Sequence, residues 1–474
     1  MKIIKPVAEY ADRYQVGPLV GLTKAVAGIK GAWAILHGVD GCTFAANQMR
    51  SAGPVVAGNY MHVVATGAER SEIILGDNEE MVMNIVRSEL ADSRTKPELM
   101  FVLTSCATSI IHEDIVRIAD VMSEETGITS IPVDTGGFLG GFNWGAEQSW
   151  NAVLAKYCPQ PASEHKGINI VGPHLTGSKN WPNDIREIER LLQAAEVPVN
   201  MTVFRNVAVN QLQNMNKAAY NYTLTQEEFP DFRSKCKELG MPIWDKGLEL
   251  PLPIGVHNTE QWYLAMAREF GNEAKAKAQM EQDMNLVKSI MRGNYNASWA
   301  LGAMSSKHVA IYGYGTFAAS LARCLFYDFN MRPSLIAICG ESPEMLARSE
   351  KLLEPLEGLL DFEVMENPSF YAYGEKIREL QPELAVGMLQ DRVLCEGLGV
   401  PHRSLGGFYF YNQFNFVPWP LMGIRGTLAL TSELWEVTDR VMTASDLWKT
   451  RAYRNRDRLA EAAAAAEKAA QQVG

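Results

Sequence analysis

Short apolar runs, each ending in a turn and each followed by a helical pattern, recur along most of this chain. That alternation leaves a parallel sheet wrapped by helices as the architecture able to bury them. The runs include Trp33-Ala34-Ile35-Leu36, Leu99-Met100-Phe101-Val102-Leu103, Ile168-Asn169-Ile170-Val171, Val197 to Val203 and Val309-Ala310-Ile311. The fold class expected is α/β, with three successive Rossmann-like domains whose parallel sheets are flanked by helices. The polar, proline-bearing stretch Pro159 to Lys166 marks a linker. The expected division is 1–160, 161–300 with a long polar helix from Thr259 to Arg292, 301–448, and an Ala-rich helical tail over 449–474 with no large apolar side chains to bury. The three blocks share an architecture but no residue signature.

Two of the apolar runs end at a cysteine. Trp33 to His37 leads through Gly38-Val39-Asp40-Gly41 to Cys42, and Leu99 to Ser105 leads to Cys106. Open α/β sheets place ligands at the carboxyl ends of their strands, and a following helix dipole there lowers a thiol's pKa. Gly38 and Gly41 would let backbone approach an inorganic group closely. The competing reading is a pair of buried structural cysteines in glycine-bearing turns. A cluster bound by thiolates wants about four of them. Two from this chain therefore imply half of an iron–sulfur site at a subunit interface, with Cys42 and Cys106 as the metal and cofactor ligands. Cys158, Cys236, Cys324, Cys339 and Cys395 read as structural.

His37 and His112 flank these cysteines in sequence; each could donate a hydrogen bond or carry a proton, or be a satisfied core or capping histidine. Glu113-Asp114 could be acids complementing a helix dipole. Gly313-Tyr314-Gly315-Thr316-Phe317-Ala318 resembles a G-x-G-x-x-A fingerprint after a strand. Its nearest acidic partner is Glu341, and tight strand–helix packing competes with nucleotide binding. The aromatic run Phe408 to Phe416 reads as a loop buried against a partner, a lid, or core filling.

Bulk properties narrow the function. A net charge of -11 without a basic stripe argues against a nucleic-acid surface. No apolar run reaches the length of a membrane span, and the N-terminal residues lack a signal-peptide pattern. Seven irregularly spaced cysteines do not suggest a disulfide scaffold, so the expected setting is cytoplasmic. No G-x-x-x-x-G-K-[ST] occurs, so ATP hydrolysis by this chain itself is not expected.

His37-Gly38-Val39-Asp40-Gly41-Cys42, then Leu103-Thr104-Ser105-Cys106 with Glu113-Asp114, resembles the β-type subunit of nitrogenase and nitrogenase-like reductases. Leu75-Gly76-Asp77-Asn78 and Leu252 to Thr259 extend the likeness. The resemblance implies an iron–sulfur cluster, P-cluster-like or [4Fe–4S], shared with an α-type (D-like) partner in an α2β2 assembly. It also implies a separate P-loop iron protein as electron donor, and a further active-site metallocluster or a bound tetrapyrrole housed mainly by the partner. Nitrogenase β subunits carry one more cysteine upstream; Gly17 stands at that position here, which favours a smaller cluster or altered ligation. Within the family, reductive C–S cleavage of methylthio-alkanes is the expected activity. A tetrapyrrole reductase subunit and a cofactor-assembly scaffold are the alternatives, and a plain nucleotide-binding Rossmann protein is the rival outside it.

Overall fold

A computed structural model describes residues 1–4, 17–42, 62–75, 78–407 and 419–439, without the side chains of residues 295 and 296. The aromatic run 408–416 and the Ala-rich tail 449–474 lie outside the described residues.

The first sheet is parallel, in the order β3 (His62–Ala65), β2 (Ala32–His37), β4 (Leu99–Thr104), β5 (Thr129–Val133). Every residue of β2 and β4 is buried, which is why both read as unbroken apolar runs. Their alternate side chains feed two cores. Trp33, Ile35, Met100 and Val102 pack under helices α3 (Glu79–Asp92) and α5 (Ile115–Thr126). Ala34, Leu36, Phe101 and Leu103 face the larger core, shared with α1 (Pro18–Val26) and α6 (Phe142–Tyr157). Helices α1 and α6 cross with their backbones in contact. A side-chain carbon at Gly21 would run into the Phe142 carbonyl, and one at Gly145 into that of Pro18.

A second, three-stranded parallel sheet runs β8 (Tyr220–Thr223), β6 (Ile168–Val171), β7 (Val199–Thr202). Helix α7 (Trp181–Ala194) connects β6 to β7. The expected helix over Thr259–Arg292 is two helices, α8 (Gly255–Phe270) and α9 (Glu273–Arg292). The break has a local cause. Gly271 lies against the Ala195 carbonyl, where no side chain fits, and the Asn272 side chain caps the new helix by accepting Lys275 N–H at 3.1 Å.

The third sheet has six parallel strands: β1 (Lys2–Ile4), β11 (Glu363–Glu366), β10 (Arg332–Cys339), β9 (His308–Tyr314), β12 (Leu384–Gly387) and β13 (His402–Ser404). Helices α10 (Gly315–Tyr327) and α11 (Pro343–Leu353) follow β9 and β10. The N-terminal strand β1 thus belongs to the third sheet, although sequence proximity groups it with residues up to 160. Lys2 secures that pairing with a 2.8 Å bond to Glu363.

Three carboxylates join the blocks in a cycle. Glu147 of α6 accepts the N–H of Phe232, at the start of the second block's helix Pro230–Glu238, at 2.8 Å. Glu227, which follows β8, accepts the N–H groups of Glu341 and Ser342 ahead of α11, at 3.0 and 3.2 Å. Glu341 in turn accepts Asn143 N–H, at the start of α6, at 2.9 Å. Each block therefore caps a helix of the next, where unpaired N–H groups favour a carboxylate.

Two consequences are measurable. Gly145→Ala should lower stability by about 1–3 kcal/mol through overpacking of the α1–α6 crossing, read as a shifted urea midpoint at constant slope. Burial pushes the Glu147 and Glu341 carboxyls each up to about 7. The unfolded chain would release these protons first, near the ordinary carboxylate pKa. Stability should therefore fall as pH rises from roughly 4.5 to 7 and level off above that. Glu341→Gln should make the fall shallower by on the order of 3 kcal/mol over that window. An unchanged pH profile in that variant would contradict the assignment.

Candidate metal centre

The cysteine turns meet at the carboxyl end of the first sheet. Cys42 sits in the turn leaving β2 and is half-buried; Cys106 opens the short helix α4 (Cys106–Ile110) and is exposed. The carbonyl of His37, the last residue of β2, accepts two hydrogen bonds from the other turn. They come from Ser105 N–H at 3.0 Å and the Thr108 hydroxyl at 2.8 Å. Gly38 allows this approach, since a side-chain carbon there would stand 2.4–2.5 Å from the Ser105 side chain if Ser105 did not move. Ser105 and Thr108 also cap α4 reciprocally, Thr108 Oγ1 accepting Ser105 N–H at 2.9 Å.

The two thiols are close enough to perturb one another. Burial pushes the Cys42 thiol up, and the neighbouring Cys106 adds to this, against a hydrogen bond from the Cys106 backbone. This corrects the expectation of a dipole-lowered pKa at Cys42: desolvation outweighs the backbone hydrogen bond there. A bound cation would reverse the balance, because metal coordination deprotonates thiols outright. The donors fit an iron–sulfur group in kind, being soft sulfur ligands, one of them open to solvent.

The third wall is the loop after β5. Gly137 N–H donates to Cys106 Sγ at 3.2 Å, and a side-chain carbon at Gly137 would stand 3.0 Å from that sulfur. A side-chain carbon at Gly17 would in turn meet Gly137 Cα at 3.8 Å. The position where the resemblance expects another cysteine thus lies at this same point. Asp134 fixes the loop. Its carboxylate accepts the Thr104 hydroxyl at 2.5 Å, the Ser109 hydroxyl at 2.9 Å and Gly136 N–H at 3.1 Å. Sequence reasoning passed over Asp134; its place between a strand and Gly136-Gly137 was the available signal.

Behind the cysteines, His37 is fully buried. Its Nδ1 lies 3.1 Å from Thr66 Oγ1 and its Nε2 lies 3.5 Å from Glu113 Oε2. Glu113 also receives the Asn78 side-chain amide at 2.8 Å and Asn78 N–H at 3.2 Å. His112 is exposed and has a positive φ of 55°. It lines an open cavity of about 380 Å³ with Glu113, Arg117 and Ile74.

The other sequence candidates go elsewhere. Cys158, Cys236, Cys324 and Cys395 are buried and Cys339 is half-buried. Gly315 has φ +25° and packs against Met345, while the Tyr314 hydroxyl donates to Glu227 at 2.5 Å. Glu341, the acid a bound ribose would need, caps α6 instead. The Gly313–Gly315 motif therefore serves strand–helix packing. Among the described residues, no three His, Cys, Asp or Glu side chains are grouped to hold a metal ion. No helix among them is long and apolar enough to cross a membrane.

The family model for nitrogenase component 1 type oxidoreductases matches residues 18–438. The chain belongs to that family. It is similar to a light-independent protochlorophyllide reductase subunit of Rhodopseudomonas palustris (strain TIE-1), with 25% identity over 432 residues, covering 87% of this chain and 74% of that protein. The corresponding subunit of Physcomitrium patens is 22% identical over 430 residues, covering 86% and 79%. A solved structure of nitrogenase Cp1 at pH 6.5 shares the fold, with a TM-score of 0.70 at 16% identity, covering 92% of this chain and 95% of that one. The chain is accordingly a subunit of a nitrogenase-like oxidoreductase, in a family that typically binds iron–sulfur clusters and works with a partner subunit and an iron protein.

The geometry predicts an order of thiol reactivity. In the metal-free chain, an alkylating reagent should label Cys106 first and Cys42 more slowly. Cys158, Cys236, Cys324 and Cys395 should react only on unfolding, as peptide mass spectrometry would show.

Proposed function

We propose that this chain is the β-type half of a nitrogenase-like reductase acting on a tetrapyrrole. Cys42 and Cys106 are its two ligands to an iron–sulfur cluster completed by an α-type partner in an α2β2 assembly. A P-loop iron protein delivers the electrons, and the substrate is housed mainly by the partner. One observation carries this reading: two cysteines 64 positions apart in sequence (106 minus 42) reach one solvent-facing point, while the described residues supply no third ligand beside them. Bound there, such a cluster supplies one-electron transfer at low potential.

The surroundings support a shared site. Ile110, on the short helix that Cys106 opens, is 63% exposed, and Phe138, next to the Gly137 that bonds Cys106, is 60% exposed. Apolar side chains so placed are stable when an assembly covers them, and the occupant that also completes the ligand set is the α-type partner. The named relatives favour the tetrapyrrole alternative over the C–S cleavage of methylthio-alkanes expected from sequence, and over a cofactor scaffold.

Anaerobic co-purification with the partner, followed by iron and sulfide quantitation, tests the ligand assignment. Cys42→Ala and Cys106→Ala should each remove about half or more of the iron and weaken partner association. Cys236→Ala, inside the core, should do neither. Equal iron in all three variants would overturn it. For the substrate, the assembled complex should shift the visible absorbance of an added cyclic tetrapyrrole and consume it with the iron protein and ATP. Consumption of a methylthio-alkane instead would overturn the tetrapyrrole reading.

A further inference from the structure

The hydrogen bond from Gly137 N–H to Cys106 Sγ, at 3.2 Å, comes from a loop that burial does not hold in place. Gly137 and Cys106 are both exposed, so water competes for that N–H. Its direction is set upstream, by Asp134. The carboxylate accepts the Thr104 hydroxyl at 2.5 Å and Gly136 N–H at 3.1 Å through Oδ1. Through Oδ2 it accepts the Ser109 hydroxyl at 2.9 Å. Thr104 and Ser109 are buried, which makes their hydroxyls fixed donors for the carboxylate.

These partners lie on both sides of Cys106. Thr104 ends β4 just ahead of the cysteine, and Ser109 belongs to α4, which the cysteine opens. Asp134 therefore ties the loop to the two segments that carry the sulfur. The two glycines let it lie this close. A side-chain carbon at Gly136 would stand 2.5 Å from Ser109 Oγ, and one at Gly137 3.0 Å from Cys106 Sγ. With Gly136 N–H held by the carboxylate in an Asx-type turn, the next N–H along the chain faces the sulfur.

A hydrogen bond donated to a ligating sulfur favours the more negative, reduced state of an iron–sulfur cluster. We propose that Asp134 is a positioning residue of the electron-transfer site, aiming Gly137 N–H at Cys106 Sγ and so raising the potential of the cluster. This rests on the reading that Cys42 and Cys106 hold a cluster. Reduction adds one electron from the iron protein, and no bond to Asp134 or Gly137 is made or broken. The negative charge of the carboxylate acts the other way, disfavouring the added electron. Variants separate the two contributions.

The experiment is an EPR-monitored redox titration of the anaerobically assembled complex. Asp134→Asn removes the charge but keeps an oxygen for Gly136 N–H; Asp134→Ala removes both. The alanine variant should therefore be harder to reduce than the asparagine variant. The expected difference is about tenfold in the reduction equilibrium, or about 59 mV for one electron. A role through charge alone gives the two variants the same potential, and that result overturns the proposal.

Two further measurements keep the proposal testable if Asp134→Ala loses its iron. Gly137→Ala leaves every charge in place and crowds the sulfur, so it should lower the potential of the complex; an unchanged potential overturns the role of the N–H. In the metal-free chain, hydrogen exchange of the peptide spanning 135–139 should quicken in Asp134→Ala but not in Asp134→Asn. Equal exchange in both overturns the positioning role. Absence of any iron-based redox signal in the unmodified complex overturns the cluster reading instead, a result separate from either of these.

Discussion

The carbonyl oxygen of His37 receives the Ser105 N–H and the Thr108 hydroxyl, and both cysteine turns depend on that junction. Strands β2 and β4 are adjacent in a parallel sheet with His37 opposite Thr104, so their carboxyl ends arrive side by side. The two bonds then carry the pairing one step beyond the sheet. They set Cys42 and Cys106 against each other rather than leaving two independent loops. Loss of either bond would weaken the junction that holds the two turns together. Asp134 extends the same arrangement to the next strand end, bringing Gly137 N–H onto Cys106 Sγ.

Rigidity at that point draws on the whole chain. Helix α1 follows directly on Gly17, which lies beside Gly137, and is held by its backbone contact with α6. Helix α6 is capped by Glu341 of the third block, whose neighbouring N–H groups are capped by Glu227 of the second. Among the described residues, the far carboxylates and the cysteine turns are thus linked by a chain of packed helices and caps. The cost is burial of ionisable groups near neutral pKa, which is why the pH dependence of stability reports on the joints.

Local features of the fold were legible because they are local. The apolar runs of β2 and β4, the cysteines closing them and the Gly313–Gly315 packing turn all announce themselves within about ten residues. Features built by distant pairs were not. Glu341 is 198 positions from the Asn143 N–H it caps, and Glu113 is 76 from His37 (113 minus 37), so neither spacing carries a periodic signal. The break at Gly271 was hidden by strong helix formers on both sides. The short strand Lys2–Ile4 gave no sign that it pairs with Glu363 to Met365. The dipole argument at Cys42 failed because burial and a second thiol count for more than the backbone N–H that approaches it.

The central claim is that this chain holds half of a cluster and its partner the other half. It is tested most directly by comparing iron and sulfide in the chain purified alone with the chain purified with its partner, both without oxygen. The account predicts little retained iron alone and about four irons or more per pair in the complex. A full complement in the isolated chain, or none in the complex, would contradict it.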